Sequence, residues 1–336
     1  MLNYFDPGKW ISPEIIPGLP FRWYALMYIL AFGTSYLLFV FQVKKRKLAI
    51  SNDEVLNFFT WGILGLLIGA RLFGTLIFAN DMRYWQEPWM IIWPFEGSQF
   101  VGLSGMNYYG GVIGGIAGLL IYAKIKKIDM LEWSDMLCAG LPLGYTFGRL
   151  GNWINAELYG RVTTAPWGVV FPGAQEVSTS KAWVQDVAAK IGMNIQDMAT
   201  VNLPRHPTQI YEGFLEGLLL WAVIWFIFRN RKPFKGFIVG FYILGYGFFR
   251  FLMDYFRMPV GGANIDYIFK GGSPDATIHL LTSPFNIIKS QIFSLAMVIG
   301  AVVFLIIMYN QHKASEQGES GEDKKVSTRR LRKKIK

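Results

Sequence analysis

Three short stretches of the chain gather charge beside strongly apolar neighbours. GRLGNWINAELYGR, Gly148 to Arg161, brings Arg149, Asn152, Asn155, Glu157 and Arg161 together. If its start is helical, Arg149 and Asn152 share one face. Tyr246, Arg250, Asp254 and Arg257 follow one another at spacings of four, four and three, which makes a single helical stripe. In RHPTQIYEGFLE, Gln209, Glu212 and Glu216 fall on one face beside His206. Arg71 stands apart, between Gly69 and Gly74. Ionisable groups among apolar helices are costly, so each needs a partner or a wet cavity. One reading is structural: Arg250 neutralises Asp254, Arg149 neutralises Glu157, and the pairs lock the bundle. The other is a polar chamber for a phosphate, because guanidinium is permanently charged and binds such groups through a bidentate fork. Convergence of three clusters at one depth favours the chamber.

The elements that must carry these residues are membrane helices. Apolar residues make up 52% of the 336, gathered in runs long enough for a hydrocarbon layer of roughly 30 Å. The pattern predicts an all-α integral membrane protein with seven helices: Phe21 to Val43, Val55 to Ala79, Met106 to Ile125, Trp133 to Phe147, Gln209 to Phe228, Gly236 to Met253 and Ile287 to Tyr309. The fourth is short and holds Asp135 and Pro142. The net charge of +10 is segregated. Most basic residues lie after the first, third and fifth helices, at Lys44 to Lys47, Lys124 to Lys127 and Arg229 to Lys235, or in the tail beyond His312. The positive-inside rule then sets the N-terminus outside and the C-terminus in the cytoplasm, with the charged clusters at outward helix ends. This distribution suits a membrane rather than nucleic acid. The N-terminus lacks the basic and apolar regions of a cleaved signal peptide.

The membrane domain is expected over residues 1–312, with an outer arm at about 80–105 and a small outer head at about 148–208. Trp85, Trp89 and Trp93 suit the arm to the headgroup zone. The head includes an amphipathic stretch from Ala182 to Ile191. Residues 313–336 read as a disordered basic tail, either a topology signal or a contact for anionic lipid. Small residues four apart, including Gly65 and Gly69 and the set from Gly110 to Gly118, are assigned to helix packing. With Cys138 the only cysteine, an internal disulfide or multi-cysteine metal site is excluded.

GRLGNWINAELYGR resembles the signature of the prolipoprotein diacylglyceryl transferases in its polar positions. RWYALMY from Arg22, the GARLF around Arg71, GMNYYGG from Gly105, PWGVVFP from Pro166, RHPTQIYE from Arg205 and the Arg250 stripe follow in that family's order. The resemblance implies a multi-pass enzyme of the bacterial inner membrane, with its active site towards the outer leaflet. Its substrates would be phosphatidylglycerol and prolipoprotein signal peptides bearing a lipobox cysteine, among surrounding membrane lipids. Transfer of the diacylglyceryl group would form a thioether and release glycerol 1-phosphate, without metal or organic cofactor. Arg149 and Arg250 would be the essential arginines, supported by Tyr24, Asn152, Glu157, Gly160 and Tyr246. Arg71, His206 and Glu212 join the lipid-binding set, and Asp254 the catalytic one.

Two positions depart from the family pattern. Tyr109 stands where many members carry the histidine regarded as a candidate base, and a phenol of pKa about 10 is a poor base at neutral pH. Either Tyr109 donates a hydrogen bond while another group takes the proton, or no dedicated base is needed. Asp254 replaces the usual glutamate, one methylene shorter. His206 is a candidate base or, with Pro207 behind it, a rigid entry to a helix. A lipid or solute transporter is the competing class, but internal repeats are not visible and the clusters gather on one side rather than at midplane.

Overall fold

The computed structural model describes residues 4–6, 15, 23–79, 81–93, 95–96, 99–100, 105–259, 267–269, 279–281 and 283–334. Helix α1 runs Trp23–Lys45. Helix α2, Asn52–Phe73, starts at a reciprocal cap in which Ser51 Oγ accepts from Glu54 N and the Glu54 carboxylate accepts from Ser51 N. It continues through a wider turn, Gly74–Phe78. Short α3, Arg83–Gln86, lies in the Trp-rich arm. Helix α4, Tyr108–Lys126, is capped by Asn107, whose Oδ1 accepts from Gly110 N. Then follow α5, Met130–Cys138, α6, Leu141–Ile154, and α7, Ala182–Ile191. Helix α8, Thr208–Phe228, α9, Phe237–Met253, and α10, Lys289–Lys334, complete the chain.

Five of these helices are long and apolar enough to cross a bilayer: Trp23–Lys45, Asn52–Phe78, Tyr108–Lys126, Thr208–Phe228 and Lys289–Gln317. The apolar α9 is shorter, at 17 residues. The predicted fourth span, Trp133 to Phe147, is not one helix. It breaks at Ala139 and Gly140 into α5 and α6, because Gly140 weakens helical continuity and Pro142, having no N–H, suits the first turn of a new helix. The basic tail, expected as irregular, instead continues α10 as helical backbone to Lys334. Its Lys, Glu, Gln and Arg content favours helix.

The chain forms two compact units, residues 36–134 and residues 1–35 with 135–336. In the first, α2 and α4 meet through glycines. A Cβ on Gly65 or Gly69 would overlap the carbonyl oxygen of Gly114 or Gly110 respectively, so only glycine permits this backbone approach. Phe39 and Phe58, both fully buried, pack with Phe59 and Trp133 beneath this seam.

In the second unit α8 packs on α6, and Gly217 leaves room for Thr146. Asp135 is fully buried and fixes the start of α9 by accepting from Lys232 Nζ, Gly236 N and Val239 N at 2.9, 2.9 and 3.1 Å. Cys138 is buried nearby in sequence. The head is built as the amphipathic pattern predicts: Val184, Val187 and Ile191 of α7 face Val162, Val177, Val201 and Leu203. A short antiparallel ladder pairs Val177 and Ser178 with Val201 and Thr200.

Candidate active site

Helices α6, α8 and α9 of the second unit supply the charged core of the site, and α1 adds Tyr24. On α6, Tyr145, Arg149 and Asn152 follow at spacings of four and three and share a face. The first turn of α8 supplies Gln209 and Glu212. It is tied to the loop after α6, since Gln209 Nε2 donates to Glu157 O at 2.7 Å and Thr208 Oγ1 to Leu158 O at 3.2 Å. Beyond Glu212, α8 widens into π-type winding over Gly213–Leu219, which carries Glu216. Such loosened turns occur frequently at functional sites. The end of α9 brings Arg250, with Asp254 as its C-cap and Arg257 just beyond.

Glu212 joins these elements. Its side chain is 1% exposed, and it faces three guanidinium groups: Arg149 Nε at 2.9 Å from Oε2, and Arg250 Nη1 at 3.3 Å and Arg257 Nη1 at 3.5 Å from Oε1. Arg250 Nη2 also meets Asp254 Oδ1 at 3.3 Å. Direct ion pairs therefore set three arginines against two carboxylates. A second network runs from Arg149. Its Nε–H donates to the Tyr145 hydroxyl at 2.6 Å, and its Nη1 to Asn152 Oδ1 at 3.2 Å. Asn152 Nδ2 donates onward to Tyr24 Oη at 3.2 Å and Glu157 Oε1 at 2.7 Å. The Tyr145 hydroxyl donates to the Glu216 carboxylate, and the Tyr246 ring lies edge-on to Tyr145 at 5.6 Å.

Gly160 holds the site from behind. Its N–H donates to His206 O at 2.9 Å, and it bridges to Arg257 in an antiparallel pair. A Cβ there would come within 2.6 Å of Phe256 O and 2.7 Å of His206. His206 thus links the entry of α8 to the end of α9. Its ring meets Phe256 edge-on at 5.2 Å, and Nδ1 hydrogen-bonds the Tyr211 hydroxyl at 3.3 Å. Burial lowers its pKa to about 4, so at pH 7 the ring is neutral and a weak base. That environment matches the helix-entry reading better than the base reading.

The structure therefore brings Tyr24, Arg149, Asn152, Glu157, Glu212, Tyr246, Arg250 and Asp254 into one connected cluster. Arg71 and Tyr109 belong to the other unit. Arg71 donates from Nε to Ile91 O at 2.5 Å and from Nη2 to Met90 O at 3.3 Å, and so ties the arm to α2, while its buried Nη1 has no hydrogen-bond partner among the described residues. Tyr109 is 60% exposed at the start of α4, with its ring against Tyr108. Arg149 pairs with Glu212 rather than with Glu157. Sequence reasoning left Tyr145 out of the site, because an aromatic in an apolar helix looks like any lipid-facing ring. Its spacing of four before Arg149 was the available signal. Arg257 and Glu216 stood in the charged stripes, yet only the fold shows one at Glu212 and the other behind Tyr145. Among the described residues no cluster of three or more His, Cys, Asp or Glu side chains is arranged to hold a metal.

Apolar helices around a buried cluster of paired arginines and carboxylates define a helical membrane protein with a charged interior. Residues 12–307 match the prolipoprotein diacylglyceryl transferase family, and the chain belongs to it. It is 44% identical to the phosphatidylglycerol–prolipoprotein diacylglyceryl transferase of Treponema denticola, over 96% of this chain and 100% of that protein. It is 42% identical to the protein of that name from Treponema pallidum, over 93% and 97%. With the protein of that name from Chlorobaculum tepidum it shares 37% identity over 76% and 79%.

Proposed function

We propose that this chain transfers the diacylglyceryl group of phosphatidylglycerol to the lipobox cysteine thiol of prolipoproteins. The observation that carries the site assignment is the meeting of Arg149, Arg250 and Arg257 at Glu212. In the reaction, the cysteine sulfur forms a bond to the glycerol carbon of the diacylglyceryl group as the bond from that carbon to the phosphate oxygen breaks. The electron pair leaves on that oxygen, the thiol proton passes to bulk water or to the departing phosphate, and glycerol 1-phosphate departs. Negative charge grows on the phosphate as the carbon–oxygen bond lengthens, so prepositioned guanidinium groups stabilise the transition state more than the ground state. Arg149 and Arg250 take that role, with Arg257 adding positive field.

The remaining residues hold these groups in place. Asn152 bonds Arg149, Tyr24 and Glu157 together, and Glu212 and Asp254 hold Arg250 between them. A thiol of pKa about 8.5 is mostly protonated at neutral pH, and the cationic field raises its thiolate fraction. The basic loops at Lys44 to Lys47, Lys124 to Lys127 and Arg229 to Lys235 support a cytoplasmic assignment for those ends, which faces the site towards the outer leaflet of the bacterial inner membrane.

Purified protein incubated with phosphatidylglycerol and a lipobox peptide is expected to yield the thioether and glycerol 1-phosphate. Arg149→Ala and Arg250→Ala each abolish product while the helical content is retained. Full activity in both variants would overturn the assignment of the phosphate contacts.

A further inference from the structure

Behind Arg149 lies a pair that the reaction as described does not use. Glu216 is fully buried, and among the described residues no guanidinium or ammonium group lies within ion-pair reach of it. Its Oε2 accepts from the Tyr145 hydroxyl, and its Oε1 has no hydrogen-bond partner. The Tyr145 hydroxyl in turn accepts the Nε–H of Arg149 at 2.6 Å. That nitrogen has one hydrogen. Glu212 Oε2 sits 2.9 Å from the same nitrogen, yet has no hydrogen bond of its own. Tyr145 and Glu212 therefore compete for one N–H, and Tyr145 holds it. A guanidinium drawn fully onto Glu212 would be engaged as an internal ion pair. One fixed through Nε by a neutral hydroxyl keeps its charge available.

Burial supports the same arrangement. Glu216 is enclosed and makes no direct ion pair among the described residues, and Arg149 and Arg250 act on it only at longer range, so a full charge there is less well compensated than at Glu212.

We infer that Tyr145 and Glu216 are positioning residues for the Arg149 guanidinium, and that Glu216 acts as a hydrogen-bond acceptor whose charge is dispensable. This rests on the lipid-transfer reading of the site. The hydroxyl of Tyr145, oriented by Glu216, presents Arg149 to the departing phosphate.

The test uses full-length protein in phosphatidylglycerol-containing micelles with a lipobox peptide. Tyr145→Phe and Glu216→Leu are expected to lower kcat by about tenfold or more, as expected for a lost hydrogen bond to a charged group, while KM for phosphatidylglycerol changes less. Glu216→Gln, which keeps an acceptor oxygen without the charge, rescues kcat to within about threefold of the parent. A binding arm without turnover separates failure of this proposal from failure of the transfer reading. The Kd for glycerol 1-phosphate, measured by calorimetry, rises in Tyr145→Phe and Glu216→Leu and recovers in Glu216→Gln. A parent that binds glycerol 1-phosphate in this pattern but makes no thioether sinks the transfer reading and keeps the positioning pair. Glu216→Gln as impaired as Glu216→Leu, or Tyr145→Phe equal to the parent in both arms, overturns the pair. Because Glu216→Leu removes a buried polar group and can unfold, Tyr145→Phe, which deletes one oxygen, decides the matter alone.

Discussion

The α2 and α4 seam and the α6, α8 and α9 cluster solve the same problem by opposite means. Both must bring helices together where water offers no driving force. At the seam the contact is shape: Gly65, Gly69, Gly110 and Gly114 let carbonyls sit where a Cβ would be. In the cluster the contact is charge: Glu212 collects an arginine from each of two helices and a third from beyond α9. Close packing is cheap to maintain and chemically inert. Ionic packing costs desolvation, and it holds groups that can exchange one anionic partner for another. The comparison teaches where chemistry is to be sought in this molecule, which is on the side that uses charge for cohesion.

Breaking the charged side should cost most. Glu212→Leu leaves three guanidinium groups without their shared carboxylate, and a loss of about 3–5 kcal/mol is expected, read as a lower thermal midpoint in detergent together with loss of lipid transfer. An unchanged midpoint would mean that Glu212 is not the joint between the helices. At the seam, Gly114→Ala pushes a methyl into the Gly65 carbonyl, with an expected cost of about 1–3 kcal/mol. Turnover per folded molecule should stay near that of the parent, the feature that separates shape from charge.

Tyr109 sharpens the comparison because it stands at the head of the seam helix. Replacing it with Phe is expected to reduce turnover by about tenfold, the scale of one hydrogen bond to a charged group, with lipid binding less affected. Equal turnover would leave the seam side out of the reaction altogether. The smallest effect belongs to the head. His206 and His279 both have pKa values lowered to about 4, by burial first and, for His279, by Arg205, Lys181 and Arg161 as well. Both rings are neutral in the folded head, so their contribution is intact above pH 6.5, where the unfolded chain is also neutral. It is lost progressively as pH falls from about 6.5 to 4, because the unfolded chain takes up protons first. His279→Phe, which keeps a ring against Trp183, should flatten part of that slope in pH-dependent melting.

Helix positions with a strong period were legible from the residues, as α7 shows, since its apolar face lines the head core as expected. The stripes at Arg149, Glu212 and Arg250 were legible for the same reason, each being a local pattern. What spacing could not supply was the partner across helices. Arg149, close to Glu157 in sequence, is ion-paired with Glu212 in space, and Arg257 converges on the same carboxylate. The broken fourth segment was obscured because hydropathy averages across Gly140 and Pro142, while the backbone does not. The wider winding of α8 has no compositional mark at all, and with it went the placement of Glu216 behind Tyr145.

The solitary cysteine has a practical consequence. Cys138 is buried, and a sulfur so enclosed is inert towards reagents in solution. In a mixture of folded protein and peptide, a maleimide therefore counts only the peptide's unconverted sulfur, and fading of its label becomes a clock for turnover. The same silence makes the chain a blank background for reporters. Cysteines introduced at the exposed Trp85 and Trp167, labelled in intact vesicles, would read which side of the bilayer each position occupies.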